Sequence, residues 1–199
     1  MELSITLIII AVNVLVHMAS AGAPQIVEAG ILQPYRTVRN NTWYELITSG
    51  FLHANTGHLA FNMITLFFFG PYIEQSIGTE HFIILYFSGL LVSSLPSVIR
   101  HKDNPEYATL GASGAVESVL LASIFLFPFN DIYLMFIPIG IPAWLFGILF
   151  LAYSVYESKK GGGNINHEAH IAGAVWGLLY LILFLPGSID HFLTVWGIG

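Results

Sequence analysis

Three separated stretches of the sequence carry the side chains that could do chemistry. Ser113 lies in a Gly-Ala-Ser-Gly run that opens a strongly apolar segment, His170 lies far downstream, and His58 and Asn62 lie upstream. A serine hydroxyl becomes a nucleophile when a neighbouring histidine takes its proton. His58 and Asn62 are four residues apart and therefore share one helical face. The pattern predicts a hydrolytic site in which Ser113 has His170, His58 and Asn62 as its partners.

The small residues near these side chains indicate how such distant segments could meet. Glycine and alanine flank Ser113, and Gly173 and Gly177 follow His170, so each segment has a face that another helix backbone can approach closely. Contact between the two faces would bring the nucleophile to its base. The alternative is that these residues serve packing alone, with His58 and Asn62 as interhelical hydrogen-bonding groups.

A metal site is the competing use of the histidines. His167 and His170 are three residues apart with Glu168 between them, but the sequence contains no His-Glu-x-x-His motif. The remaining ligands would have to come from other segments. Cysteine is absent, which excludes a thiolate ligand or nucleophile. The sequence predicts neither a metal ion nor a cofactor.

The composition places these residues in a membrane. Hydrophobic residues make up 55% of the chain and charged residues 9%, against about 25% charged in a soluble domain. Because the mean hydropathy is +0.73, the surplus apolar surface is expected to face a lipid bilayer. The net charge is −6 and the six basic residues are scattered, so no nucleic-acid partner is predicted.

The apolar runs predict an all-α membrane protein in which residues 1–199 form one domain. Residues 22–56 are too polar to span a bilayer and form a long first loop, and a cleaved signal peptide is the alternative for the first run. Pro138 and Pro142 predict a late start or a kink in the fifth span, and Gly70-Pro71 marks the exit of the second. The six predicted spans are residues 3–21, 57–73, 80–99, 111–127, 132–156 and 169–185.

In this order, the motifs resemble those of the rhomboid intramembrane serine proteases. His-x-x-x-Asn occurs at His58–Asn62 in the second span, and Gly-x-Ser-Gly occurs around Ser113 in the fourth. Ala-His-x-x-Gly-x-x-x-Gly occurs around His170 in the sixth. The resemblance extends from position 3 to about position 186, which is nearly the whole chain.

The resemblance implies a rhomboid-like bundle of six transmembrane helices and a serine endopeptidase with a Ser113–His170 dyad. Ser113 would attack a peptide carbonyl, and His170 would act first as general base and then as general acid. The Ser113 backbone N–H and the side chains of His58 and Asn62 would form the oxyanion hole. The implied substrates are single-span membrane proteins whose helix can unwind locally into an extended strand.

Two positions depart from the family pattern. Glu117 follows Ser113 by four residues, where many family members have an aromatic residue. A carboxyl group at this depth is costly unless it is paired or protonated, so we expect Glu117 to bond and orient His170, or else to bond another polar group or stay neutral. The dipeptide Trp43-Tyr44 stands where many relatives have Trp-Arg, which leaves the anchoring of the first loop open.

Two other functional classes remain open from the sequence. A non-proteolytic relative that binds transmembrane helices would usually lack the serine or the histidine, and this chain has both. A channel or transporter would distribute its polar residues along a path, whereas here they lie near one side. The six-helix build suggests a prokaryotic plasma or inner membrane. All six basic residues lie in the first, third and fifth loops, which predicts a site open to the cytoplasm, whereas the resemblance implies the opposite orientation.

Overall fold

The computed structural model of the chain describes residues 4–133, 138–160 and 166–198, which form a mostly helical domain. Within these ranges, six helices of 14 or more residues are joined by short helices and one small hairpin. In chain order, these elements are α1 (Ile5–Ser20), α2 (Pro24–Gly30), α3 (Pro34–Asn40), α4 (Glu45–Thr48), a 3-10 turn (Ser49–Phe51), α5 (Thr56–Ile77), α6 (Thr79–His101), α7 (Ser113–Leu126), β1 (Asp131–Tyr133), β2 (Gly140–Pro142), α8 (Ala143–Lys160), α9 (His167–Phe184) and α10 (Ser188–Val195).

Each of the six long helices overlaps one predicted span, but their number as membrane spans stays a prediction. Within the described ranges, α6 and α9 are long and apolar enough to cross a membrane, and α1 and α7 are shorter apolar helices. Composition and length therefore identify two candidate spans, and the other assignments rest on the sequence alone.

The pair Gly70-Pro71 does not end the helix of the second predicted span, contrary to expectation. Helix α5 continues through Gly70-Pro71 to Ile77, and the chain turns at Gly78, whose φ is +84°. Gly70 serves close packing, because a Cβ there would lie 2.5 Å from the Thr6 methyl group of α1. Gly70 therefore serves helix packing at this position and does not end the helix.

The helix of the fifth predicted span, residues 132–156, starts late, which is one of the two outcomes that its prolines predicted. The strands β1 and β2 pair antiparallel with Asp131 opposite Pro142, and α8 begins only at Ala143. Proline lacks a backbone N–H and disfavours helical conformation in the residue before it. Pro142 therefore delays the helix until the residue that follows it, as the prolines predicted.

Helix α7 is the central element of the domain, and nearly all of its residues are buried. It packs against α9 where two glycines of α9 allow the backbones to touch. A Cβ on Gly173 would lie 2.8 Å from the carbonyl carbon of Gly114, and one on Gly177 would lie 2.8 Å from that of Ser118. The Ser118 hydroxyl donates across this contact to the Gly173 carbonyl at 2.8 Å. The predicted close approach of the fourth and sixth helices is therefore present.

The first loop is a folded structure of short helices around a buried carboxylate. Glu45 is fully buried and accepts hydrogen bonds from the Gln33 backbone N–H, the Arg36 guanidinium and the Thr37 hydroxyl. Burial alone would raise the pKa of Glu45, but these hydrogen bonds outweigh it and hold the pKa below its ordinary value. A charged group at the centre thus organises the loop.

This loop is joined to the segment that leads into α7. Leu32 and Thr109 exchange two backbone hydrogen bonds of 3.1 and 2.9 Å, and the Gly111 N–H donates to the Ser49 carbonyl at 2.9 Å. These bonds fix the chain immediately before Ser113. The first loop therefore supports one side of the candidate site.

Candidate active site

Ser113 is the first residue of α7 and is half-buried. Two residues earlier, Gly111 has a φ of +128°, a conformation that L side chains rarely adopt. This turn directs the chain into the helix. The first N–H groups of a helix have no partner within it, so the Ser113 N–H lies among the unpaired donors at the start of α7.

His170 lies in the first turn of α9, and this turn is next to the start of α7. A Cβ on Gly114 would lie 3.5 Å from the Ala169 carbonyl oxygen, so the residues that follow Ser113 and precede His170 are in contact. Among the described residues, no hydrogen bond joins the Ser113 hydroxyl to the His170 ring. Catalytic hydrogen bonds are often long without substrate and shorten when it binds, so this arrangement is compatible with a dyad.

His58 and Asn62 both lie in the first two turns of α5, four residues apart on one face of the helix. The His58 ring lies against Gly111, where a Cβ would be 2.9 Å from Nε2. Asn55 caps this helix by accepting from the His58 N–H at 2.9 Å. Asn62 is 2% exposed, and its Nδ2 has no hydrogen-bond partner among the described residues. Asn62 is thus a buried side chain with an unused donor.

Three histidine rings, those of His58, His53 and His17, form a row that the sequence did not predict. The ring centroids of His53 and His58 are 5.0 Å apart, and those of His17 and His53 are 6.4 Å apart. His53 precedes α5, and burial, followed by the proximity of His58 and His17, lowers its pKa to about 4. The described residues contain no group of three or more His, Cys, Asp or Glu side chains arranged to hold a metal ion.

The proposed hydrogen bond between Glu117 and His170 is not present among the described residues. Glu117 is 4% exposed, and its Oε2 is buried without a partner there. Nearly all residues of α7 are buried, so Glu117 lies inside the domain one turn after Ser113. Its orienting role stays a prediction.

Most of the chain is similar to known proteins. The family model described as Rhomboid domain matches residues 40–187. RHOMBOID-like protein 12, mitochondrial, of Arabidopsis thaliana is 36% identical over 146 residues, which cover 66% of this chain and 43% of the relative. Rhomboid protein 1, mitochondrial, of Saccharomyces cerevisiae is 31% identical over 142 residues, which cover 68% of this chain and 40% of the relative.

A bacterial relative is covered more completely. Putative rhomboid protease YdcA of Bacillus subtilis is 30% identical over 146 residues, which cover 73% of this chain and 69% of the relative. The chain spans only about two fifths of the length of the plant and yeast proteins. Their mitochondrial names conflict with the predicted prokaryotic membrane, whereas the bacterial relative agrees with it.

The match over residues 40–187 includes all of the predicted site residues. It also includes the contact between α7 and α9 that brings Ser113 and His170 to adjacent helix starts. Proteins of this kind are embedded in membranes, which agrees with the apolar composition. The chain is an integral membrane protein that belongs to the rhomboid family.

Proposed function

We propose that this chain is an intramembrane serine endopeptidase in which Ser113 is the nucleophile and His170 the general base. One observation carries the proposal: the backbones of α7 and α9 touch at Gly114 and Gly173, next to both residues. No side chain separates the two helices at this point. Only a small movement of the side chains is then needed to bring the serine hydroxyl to the imidazole.

The reaction follows from the chemistry of these groups. The Ser113 oxygen forms a bond to the substrate carbonyl carbon while His170 takes the hydroxyl proton, and His170 then gives this proton to the leaving amine. Water then attacks the carbonyl carbon of the acyl group while His170 takes a proton from it. His170 returns this proton to the Ser113 oxygen as the ester bond breaks and the acyl group leaves. Half-burial of Ser113 and His170 is consistent with access for both substrate and water.

The oxyanion of the intermediate would be stabilised by the Ser113 N–H and the side chains of His58 and Asn62. The unpartnered Nδ2 of buried Asn62 supports this role, because a buried donor is costly unless some state of the protein uses it. Loss of one such donor typically costs about 2.7–4 kcal/mol in transition-state stabilisation. Asn62→Ala is therefore expected to lower kcat by about 100- to 1,000-fold.

The first experiment tests the nucleophile directly. Purified protein in detergent is incubated with a fluorescent fluorophosphonate, and cleavage of a single-span substrate is followed by gel electrophoresis. Ser113→Ala and His170→Ala are expected to abolish labelling and cleavage. Ser123→Ala is the matched control, since Ser123 lies ten residues further along the same helix. Labelling that persists in Ser113→Ala would refute the proposal, as would a folded wild-type protein that neither labels nor cleaves.

The second candidate function is binding of transmembrane helices without proteolysis. It is favoured by the lack of a hydrogen bond between Ser113 and His170 among the described residues. Crosslinking of a single-span substrate to wild-type protein, without labelling or cleavage, would establish this function. Cleavage that depends on Ser113 would exclude it.

Glu117 is assigned a separate test because no hydrogen bond to His170 supports its orienting role. Glu117→Gln keeps the size and Glu117→Phe introduces the aromatic residue that many relatives have. If Glu117 orients His170, cleavage falls in both variants. Wild-type cleavage in both variants would refute this role and leave the dyad unaffected.

We also propose six membrane spans in a prokaryotic plasma membrane, with substrates drawn from single-span proteins of that membrane. Since the chain lacks cysteine, single cysteines at Glu28 and Asn130 can report the topology. Six spans place these positions on opposite sides, so a membrane-impermeant maleimide should label only one of them in intact cells and both after lysis. The labelled position also gives the orientation of the site, and labelling of both in intact cells would refute six spans.

A further inference from the structure

Asn166 lies immediately before α9 and caps the helix that carries His170. Its Oδ1 accepts a hydrogen bond from the Ala169 N–H at 3.1 Å, and its backbone carbonyl accepts from the His170 N–H at 3.2 Å. A side-chain cap of this kind satisfies one of the free donors of the first helical turn. Asn166 therefore holds the turn in which His170 lies.

The other end of the same amide faces two different segments. Nδ2 donates to the buried Ser97 hydroxyl of α6 at 2.8 Å, and it lies 3.3 Å from the hydroxyl groups of Tyr107 and Thr109. Since an amide nitrogen has two hydrogens, at most two of these bonds form fully at one time. A cap alone would need only the oxygen, so the nitrogen contacts require another explanation.

Thr109 connects this network to the nucleophile. It lies four residues before Ser113, and its backbone is paired with Leu32 of the first loop by two hydrogen bonds. The segment that leads into α7 is therefore held on one side by the first loop and on the other by the Asn166 amide. A single side chain contacts both the helix of His170 and the segment before Ser113.

We propose that Asn166 is a positioning residue that sets the distance between Ser113 and His170. Its oxygen holds the first turn of α9, and its nitrogen holds the segment leading into α7. The inference rests on the proposed Ser113–His170 dyad. Asn166 does not touch the reacting atoms and acts only through the two residues whose segments it joins.

The variant Asn166→Ser separates the two functions of the side chain. Serine is as good a helix N-cap as asparagine, but it is too short to reach Ser97 and Thr109. Because a misplacement of about 1 Å can cost about 100-fold in rate, kcat is expected to fall by about 10- to 100-fold. KM should stay close to wild type, since no substrate contact is lost, and the melting temperature should fall only slightly, because the cap is kept and only the bond to Ser97 is lost.

Two further variants test whether the hydrogen bonds between residue 166 and the hydroxyl groups of Ser97 and Thr109 set the rate. Asn166→Asp keeps the cap, and its carboxylate can accept from the hydroxyl groups of Ser97 and Thr109, so it is expected to restore most of the rate. Thr109→Val removes one hydroxyl at nearly constant shape and should lower kcat with the cap intact. Asn104→Ser is the matched control, because Asn104 caps only an exposed turn through the Glu106 N–H.

The measurements are the fluorophosphonate labelling rate of Ser113, kcat and KM for a single-span substrate, and the melting temperature of each variant. A wild-type kcat in Asn166→Ser would overturn the proposal while the dyad still stands. A loss of kcat that parallels a loss of melting temperature, without rescue by Asn166→Asp, would also overturn it. If the wild-type protein is folded and does not label at all, the dyad and the role of Asn166 are both refuted.

Discussion

The contact between α7 and α9 allows a quantitative prediction for Gly173→Ala. A Cβ at Gly173 would lie 2.8 Å from the Gly114 carbonyl carbon, and closer still to its oxygen, whereas ordinary contacts begin at 3.4 Å. The obstacle is backbone inside a helix, so no side chain can rotate away. The helices must separate by at least the difference, about 0.6 Å.

This separation affects both stability and rate. Overpacking of a close contact costs about 1–3 kcal/mol, and His170 lies one turn from Gly173 and moves with it. Since a misplacement of about 1 Å can cost about 100-fold, the labelling rate of Ser113 should fall by about 10- to 100-fold. The same variant should show a lower melting temperature in detergent.

The assay compares fluorophosphonate labelling with thermal unfolding on the same preparation. Gly22→Ala is the control, because nothing lies within 4 Å of a Cβ there, and it should change neither quantity. A wild-type labelling rate in Gly173→Ala, at a temperature where the variant is folded, would refute the claim that this contact positions the dyad. A wild-type melting temperature would refute the contact itself.

Three further predictions concern buried or interhelical polar groups. Glu74→Gln should lower the free energy of unfolding by about 1.5–3 kcal/mol in a denaturant titration, because the carboxylate accepts four hydrogen bonds from the start of α1; exposed Glu28→Gln should have no effect. Glu45→Gln should cost about 3 kcal/mol or more and expose the first loop to proteolysis, since it leaves Arg36 without its charged partner; an undigested loop would contradict this. The pKa of His53 falls from 6.5 to about 4 on folding, so the unfolded state binds more protons in that range and stability should decrease as the pH drops from about 6.5 to about 4. The total loss is about 3 kcal/mol at 1.36 kcal/mol per pH unit, and a His53→Gln variant that shows the same pH dependence would refute it.

Local patterns were insufficient at two residues whose surroundings come from other helices. Gly70 and Pro71 are typical of a helix end, yet Gly70 allows Thr6 of α1 to pack closely, and α5 continues. The position of Glu117 below Ser113 suggested a bond to His170, yet the described residues show no such hydrogen bond, and the Glu117 Oε2 has no partner among them. Helical spacing defines a face but does not specify the neighbour of that face.

Local patterns succeeded where the chain itself imposes the constraint. Apolar runs of sufficient length formed helices near their predicted positions, because a backbone away from water must satisfy its own hydrogen bonds. The prolines of the fifth segment delayed its helix to Ala143, because their rings act on adjacent residues. The glycines of the sixth segment indicated a close helix contact, because only small residues permit one.

The sequence by itself indicated the family and the long helices and predicted the residues of the site, since these depend on residue type and spacing along the chain. Only the tertiary structure decided which helices touch. It placed the row of histidine rings beside His58, joined the first loop to the segment before Ser113, and brought the Asn166 amide between that segment and the helix of His170. These contacts join residues far apart in the chain, and their distances follow from how whole helices pack, which no local pattern encodes.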